Sequence, residues 1–119
     1  MKKITLEPGI ELNIKEINNA TTREINKSLP LESKVMTWGD EIYFNTDIKA
    51  PAKDATLDIS VGDIAYWPQG KSLCIFFGST PASSGYKPVP ASEVVIIGKV
   101  ELDAEKLREV GSGTTVKVE

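Results

Sequence analysis

Short runs of alternating apolar and polar residues, each closed by a turn signal, recur along almost the whole chain and point to an antiparallel β fold. Ile4 and Leu6 alternate with polar neighbours up to Pro8-Gly9, and Ile10, Leu12 and Ile14 resume the pattern beyond it. Pro8 presets φ and Gly9 tolerates φ > 0, so the pair predicts a tight hairpin turn. The period of two returns around Val35 to Trp38, turns at Gly39-Asp40 and continues through Ile42, Tyr43 and Phe44. Residues 45–56 lack periodicity and read as an exposed connection to a short strand at Leu57 to Ile59, after which Val61-Gly62-Asp63 turns the chain. Ile64 to Trp67, the Pro68-Gln69-Gly70-Lys71 turn and Leu73 to Phe77 make a third hairpin. Its second strand is almost continuously apolar, as expected of a strand covered on both faces. Val94 to Val100, interrupted by Gly98, and Thr114 to Val118 supply the last strands.

Two helices interrupt this pattern. Asn18 and Asn19 offer N-caps, and Thr21-x-x-Glu24 reads as a capping box before a short helix carrying Ile25 and Leu29, closed by Pro30. Asp103 caps a second helix with Leu102, Leu107 and Val110 on its apolar side, ended by Gly111-Ser112-Gly113. Closing so many short strands into a barrel removes the open edges they would otherwise leave. At 119 residues the chain fits one domain, residues 1–119.

Absences narrow the chemistry further. The chain has no histidine and a single cysteine, Cys74, which excludes a Ser-His-Asp or Cys-His pair, an internal disulfide and a thiolate metal cage. No cofactor or metal is expected, and a lone thiol in an apolar strand suits a reducing, cytoplasmic setting. Fourteen basic against seventeen acidic side chains give a net charge of −3, the wrong sign for a phosphate-backbone binder, so nucleic acid is not an expected partner. No apolar run approaches the length of a membrane span.

Three segments together resemble a known family. They are Leu29-Pro30 followed by Trp38-Gly39-Asp40-Glu41-Ile42-Tyr43-Phe44; Gly62-Asp63-Ile64-Ala65-Tyr66-Trp67-Pro68 through Ile75-Phe76-Phe77-Gly78-Ser79-Thr80-Pro81; and Val94-Val95-Ile96-Ile97-Gly98-Lys99-Val100. The likeness is to the small cyclophilin-like family of bacterial and archaeal proteins. It implies a mainly β fold: a closed, antiparallel, eight-stranded cyclophilin-like barrel with a short helix over each open end. True cyclophilins are peptidyl-prolyl isomerases, which lower a rotation barrier of about 20 kcal/mol without covalent chemistry. In that family an arginine within a Phe-His-Arg motif donates to the twisting amide, on the strand after the first helix, supported by a glutamine and by a later tryptophan and histidine. The corresponding stretch here, Ser33-Lys34-Val35-Met36-Thr37-Trp38, holds no arginine. Lys34 lacks the planar fork of a guanidinium, and Arg23 and Arg108, the only arginines, read onto the helices. Leu73-Cys74-Ile75-Phe76-Phe77 approximates the family's apolar floor, and the Trp38 indole N–H is a neutral donor.

The resemblance therefore implies a pocket more strongly than it implies catalysis. The expectation is a binding protein for a peptide segment or small molecule without strong isomerase activity, its pocket lined by Trp38, Tyr43, Phe76 and Tyr86 with Glu41 as polar anchor. The alternative is a weak or divergent prolyl isomerase using Trp38 or a backbone amide in place of the arginine. Trp38, Tyr43 and Trp67 also serve as plain packing residues in a barrel, and only one of Phe76 and Phe77 can face a given side of the sheet. Tyr86 is the only large ring of the loop 78–93, which carries three prolines. Asp40 and Asp63 adjoin glycines and suit bonds to turn backbone, while Glu41 is expected outward and solvated, the alternative being a desolvated carboxyl with a raised pKa. A third reading pairs Glu41 with Asp63 as an acid/base couple. Ser79, Thr80, Ser83 and Ser84 have no base to activate them and read as loop hydroxyls.

Overall fold

A computed structural model describes residues 1–119. Eight strands run in the order β1 (Lys3–Leu6), β2 (Ile10–Glu16), β3 (Leu31–Thr37), β4 (Glu41–Asn45), β5 (Asp63–Trp67), β6 (Ser72–Phe76), β7 (Val95–Val100) and β8 (Thr115–Val118). They close into a barrel in the spatial order β1-β2-β7-β5-β6-β4-β3-β8, every neighbouring pair antiparallel. Helix α1 (Ala20–Asn26) lies between β2 and β3, and α2 (Ala104–Arg108) between β7 and β8. Each helix sends one apolar side chain, Ile25 or Leu107, into the cluster that fills the barrel. The mainly β, eight-stranded, two-helix architecture is as the alternation and the resemblance led us to expect.

Several local expectations change. The first hairpin turns through a cis Glu7–Pro8 peptide, and Gly9 does not take up positive φ. Asn19, rather than the Thr21-x-x-Glu24 box, caps α1: its side chain accepts from the Thr22 N–H at 2.8 Å. Thr21 is already inside the helix, and its hydroxyl donates to the Pro51 carbonyl of the β4–β5 connection. Leu57 to Ile59 forms no strand; a lone antiparallel bridge joins Thr56 to Val94. Nor is the whole connection exposed, because Ile48 and Ile59 turn inward against the wall and Ile48 offers its carbonyl to the Tyr66 hydroxyl at 2.6 Å. A segment can cover a sheet with isolated side chains without adding a strand to it, and its sequence then carries no period. Near Gly98 the β5–β7 register slips between Ile64 and Ala65, a bulge that lets β7 bend around the barrel.

Period two sorts the wall residues into two layers. Ile42 and Phe44, Ile64 and Tyr66, Leu73 and Ile75 point inward with Phe77. Tyr43, Ala65, Trp67, Cys74 and Phe76 form a second apolar layer outside the barrel with Ile59, Val94 and Ile96. The β4–β5 and β6–β7 connections roof that outer layer, which is why β5 and β6 are buried on both faces and lack alternation. The candidate site lies under this roof.

Candidate functional site

A cavity of about 190 Å³ opens on the outer wall, lined by Trp38, Glu41, Tyr43, Trp67, Cys74, Pro90, Ala91 and Val94. Its position follows from register. Tyr43 pairs with Cys74 and Cys74 with Ala65, so the small side chains of β6 and β5 leave room between the larger Tyr43 and Trp67. Glu41, opposite Phe76, closes one end.

Each wall is anchored. Trp67 donates from Nε1 to Ser92 Oγ at 2.6 Å, which fastens the wall to the β6–β7 loop. Its ring lies on Gly70 so closely that a Cβ there would come within 2.4 Å of the indole. Tyr43 meets Trp67 edge to face, with ring centroids 6.1 Å apart and planes at 82°, a geometry the ring quadrupoles favour. Trp38 leads the hairpin turn that joins β3 to β4: its N–H donates to the Glu41 carbonyl at 2.9 Å and its carbonyl accepts from the Glu41 N–H at 3.2 Å. Gly39 makes that turn at φ +59°, and a Cβ there would stand 2.9 Å from Pro81 Cδ and 3.0 Å from the Ser79 carbonyl. The hairpin tip and the loop are thus in direct contact.

The loop 78–93 is held by its own hydroxyls. Thr80 Oγ1 donates to the Val89 carbonyl at 2.5 Å and Ser83 Oγ to the Lys87 carbonyl at 2.8 Å, while Ser83 Oγ accepts from the Thr80 N–H at 2.9 Å. Within it Pro88 and Pro90 are buried, and Pro90 lines the pocket.

Glu41 is the chemically unusual group. Against the expectation of an outward, solvated carboxylate it is only 5% exposed, and its Oε1 has no hydrogen-bond partner. Loss of hydration raises its pKa from 4.5 to about 7, with the adjacent Cys74 thiol pulling weakly the other way. Burial likewise raises the Cys74 thiol well above its ordinary value, with the Glu41 charge adding to the effect. Cys74 is therefore a protonated, unreactive wall residue at neutral pH. The sequence signal for this environment was the unbroken apolar run of β6, whose outward Cys74 faces Tyr43 and lies beside Glu41.

The expected site residues separate in space. Trp38, Glu41 and Tyr43 come together in the cavity, joined by Trp67 and Cys74. Phe76 is fully buried in the outer apolar layer and is not part of the lining, because the roof covers it completely. Tyr86 is 96% exposed at the loop tip and lies outside the cavity.

The remaining carboxylates are committed. Asp63 accepts from the Ser60 N–H at 2.8 Å and pairs with Lys99 at 2.5 Å, so both its oxygens are engaged and it does not line the cavity. The acid/base couple with Glu41 therefore does not form. Asp40 is held not by turn backbone but by Arg108, whose Nη2 lies 3.1 Å from Oδ2 and whose Nε donates at 3.2 Å. That ion pair ties α2 to the hairpin tip and raises the Arg108 pKa further. Lys34 donates to Thr115 Oγ1 at 2.6 Å on β8, and no basic residue lines the cavity. No group of three or more Cys, Asp or Glu side chains is placed to hold a metal ion, and no helix is long and apolar enough to cross a membrane.

Comparison with known proteins bears on this geometry. A family model described as cyclophilin-like matches residues 2–119. The solution structure of a hypothetical protein from Archaeoglobus fulgidus is similar at 37% identity and a TM-score of 0.79, over 98% of this chain and 91% of that one. No curated protein matches.

Proposed function

This chain belongs to the cyclophilin-like family, and from that premise we propose that it is a binding protein whose outer-wall pocket takes one ring-sized group of a peptide segment or small molecule, without strong isomerase activity. The observation that carries this reading is the pocket itself: three aromatic rings, a proline and a valine around about 190 Å³, with one carboxyl and no cation. An apolar cavity of roughly 150 Å³ accepts benzene, whereas drug-sized ligands need roughly 300 Å³ or more. The space therefore suits a single ring or branched side chain, the remainder of the ligand lying across the mouth.

Twisting an X-Pro bond calls for a donor near the amide nitrogen. The arginine that serves this purpose in true cyclophilins has no counterpart in the lining; Arg23 is on α1 and Arg108 is paired with Asp40. Glu41 supplies the opposite polarity. The buried lone thiol suits a reducing, cytoplasmic compartment. The weaker alternative, a divergent isomerase using the Trp38 indole, rests on Trp38 lining the pocket. NMR exchange spectroscopy on an X-Pro peptide tests the choice. We expect the peptide to shift the indole signals of Trp38 and Trp67 while its cis/trans exchange stays at the uncatalysed rate. Accelerated exchange at substoichiometric protein would overturn the reading.

A further inference from the structure

The contents of the pocket select among ring-sized ligands. Its two tryptophans are the only ones in the chain, and with Tyr43 they set aromatic surface around a carboxyl whose Oε1 is buried without a partner. Tyr43 and Trp67 stand nearly perpendicular, so they present two walls of a corner rather than one flat face. A neutral ring would fill the volume but leave Oε1 without a donor, and a buried acceptor left unmade is costly. A metal ion would find one carboxylate and one thiol, Cys74, and no third ligand. An organic ammonium meets both demands, because its carbon substituents pack on the ring faces that attract positive charge while an N–H reaches the carboxylate.

Resting on the binding reading above, we propose that the pocket recognises an organic ammonium that keeps at least one N–H, such as a cyclic secondary ammonium or a partly methylated amine, carried either by a free small molecule or by a peptide. Trp38, Tyr43 and Trp67 form the aromatic surround and Glu41 the counter-charge. The charged and titratable groups near Glu41 leave it available for this role. Asp40 on the same hairpin is neutralised by Arg108 of α2, Asp63 of β5 by Lys99 of β7, and Cys74 of β6 stays a thiol. Bound cation holds the Glu41 carboxyl ionised, so association and Glu41 deprotonation are linked.

The test uses the whole chain and piperidinium, a six-membered ring that stays protonated through neutral pH, against tetrahydropyran, its neutral counterpart of the same shape. Binding is read from tryptophan fluorescence and from the indole N–H signals, both confined to this pocket. Piperidinium is expected to bind in about the millimolar range or tighter, with affinity rising about tenfold between about pH 5.5 and pH 8.5 as Glu41 ionises. Glu41→Gln is expected to weaken it about tenfold at the upper pH and to flatten the pH dependence. Tetrahydropyran is expected to bind at least about tenfold more weakly than piperidinium at that pH. Equal binding of the two rings, unaffected by pH and by Glu41→Gln, would overturn the ammonium assignment while leaving the pocket reading intact. If neither ring perturbs the tryptophans, both readings fall. A peptide carrying dimethyl-lysine, compared with free dimethylammonium, assigns the carrier: tighter peptide binding supports a polypeptide source and weaker binding a free amine.

Discussion

Glu41→Gln isolates the energetic consequence of burying a carboxyl whose Oε1 has no partner. In the folded protein the acid ionises near 7 instead of 4.5, and at about 1.36 kcal/mol per pH unit this difference amounts to about 3 kcal/mol. The sign follows from proton binding. Between these two values the native state holds a proton that the unfolded state has released, so stability falls as pH rises from about 4.5 to about 7 and is level on either side. Glutamine keeps the shape and cannot ionise. Its amide N–H2 lacks an acceptor, at about 1 kcal/mol, so the net gain at about pH 8 is about 2 kcal/mol. For a chain of this length that corresponds to a melting temperature about 8 °C higher. Urea unfolding of both proteins, followed by far-UV circular dichroism across the pH range, measures the difference directly. At about pH 4 the variant should be equal to the wild type or slightly less stable, with the curves diverging as pH rises. A stability difference independent of pH would refute the reasoning, since other titrating groups cancel between the two proteins.

Five further outcomes follow from the same geometry. Gly39→Ala places a Cβ against Pro81 and the Ser79 carbonyl at positive φ; it should cost about 1–3 kcal/mol by urea denaturation, and a neutral result would show that the hairpin tip and loop are not in tight contact. Ser92→Ala removes the acceptor of the Trp67 indole and should cost about 1 kcal/mol while shifting the Trp67 Nε1–H signal; an unmoved signal would contradict the anchor. Leu107→Ala empties a fully covered position at one barrel end and should cost about 2–5 kcal/mol in chemical denaturation, whereas Tyr86→Ala, at an exposed tip, should stay within about 0.5 kcal/mol. Cys74 should resist Ellman's reagent at mildly alkaline pH at the rate of global unfolding, because its thiol is covered and its pKa raised; rapid labelling of the native protein would contradict that.

The barrel was legible because alternation reports which residues share a face. Ile42 and Phe44 inward with Tyr43 outward, or Ile64 and Tyr66 inward with Trp67 outward, follow from spacing alone. Alternation does not report what covers the outer face. Glu41 lies on the outward side, where spacing alone places it in water, and only the loop through Pro90 and the turn at Gly39 bring it under cover. The same long-range roof buries Phe76 in the outer layer, while Tyr86 stays exposed on the loop. Arg108 and Asp40 are 68 residues apart, and nothing in either segment foretells their pairing. The strand at Leu57 to Ile59 failed for a related reason: one inward isoleucine seals a wall as well as a paired strand does.

The most direct measurement is the titration of the Glu41 side-chain carboxyl by carbon-detected NMR in the free protein. A midpoint near 7 is expected if the carboxyl lies dehydrated among Trp38, Tyr43 and Cys74, with Oε1 unpartnered. A midpoint at the ordinary 4.5 would place it in water and contradict the pocket as described.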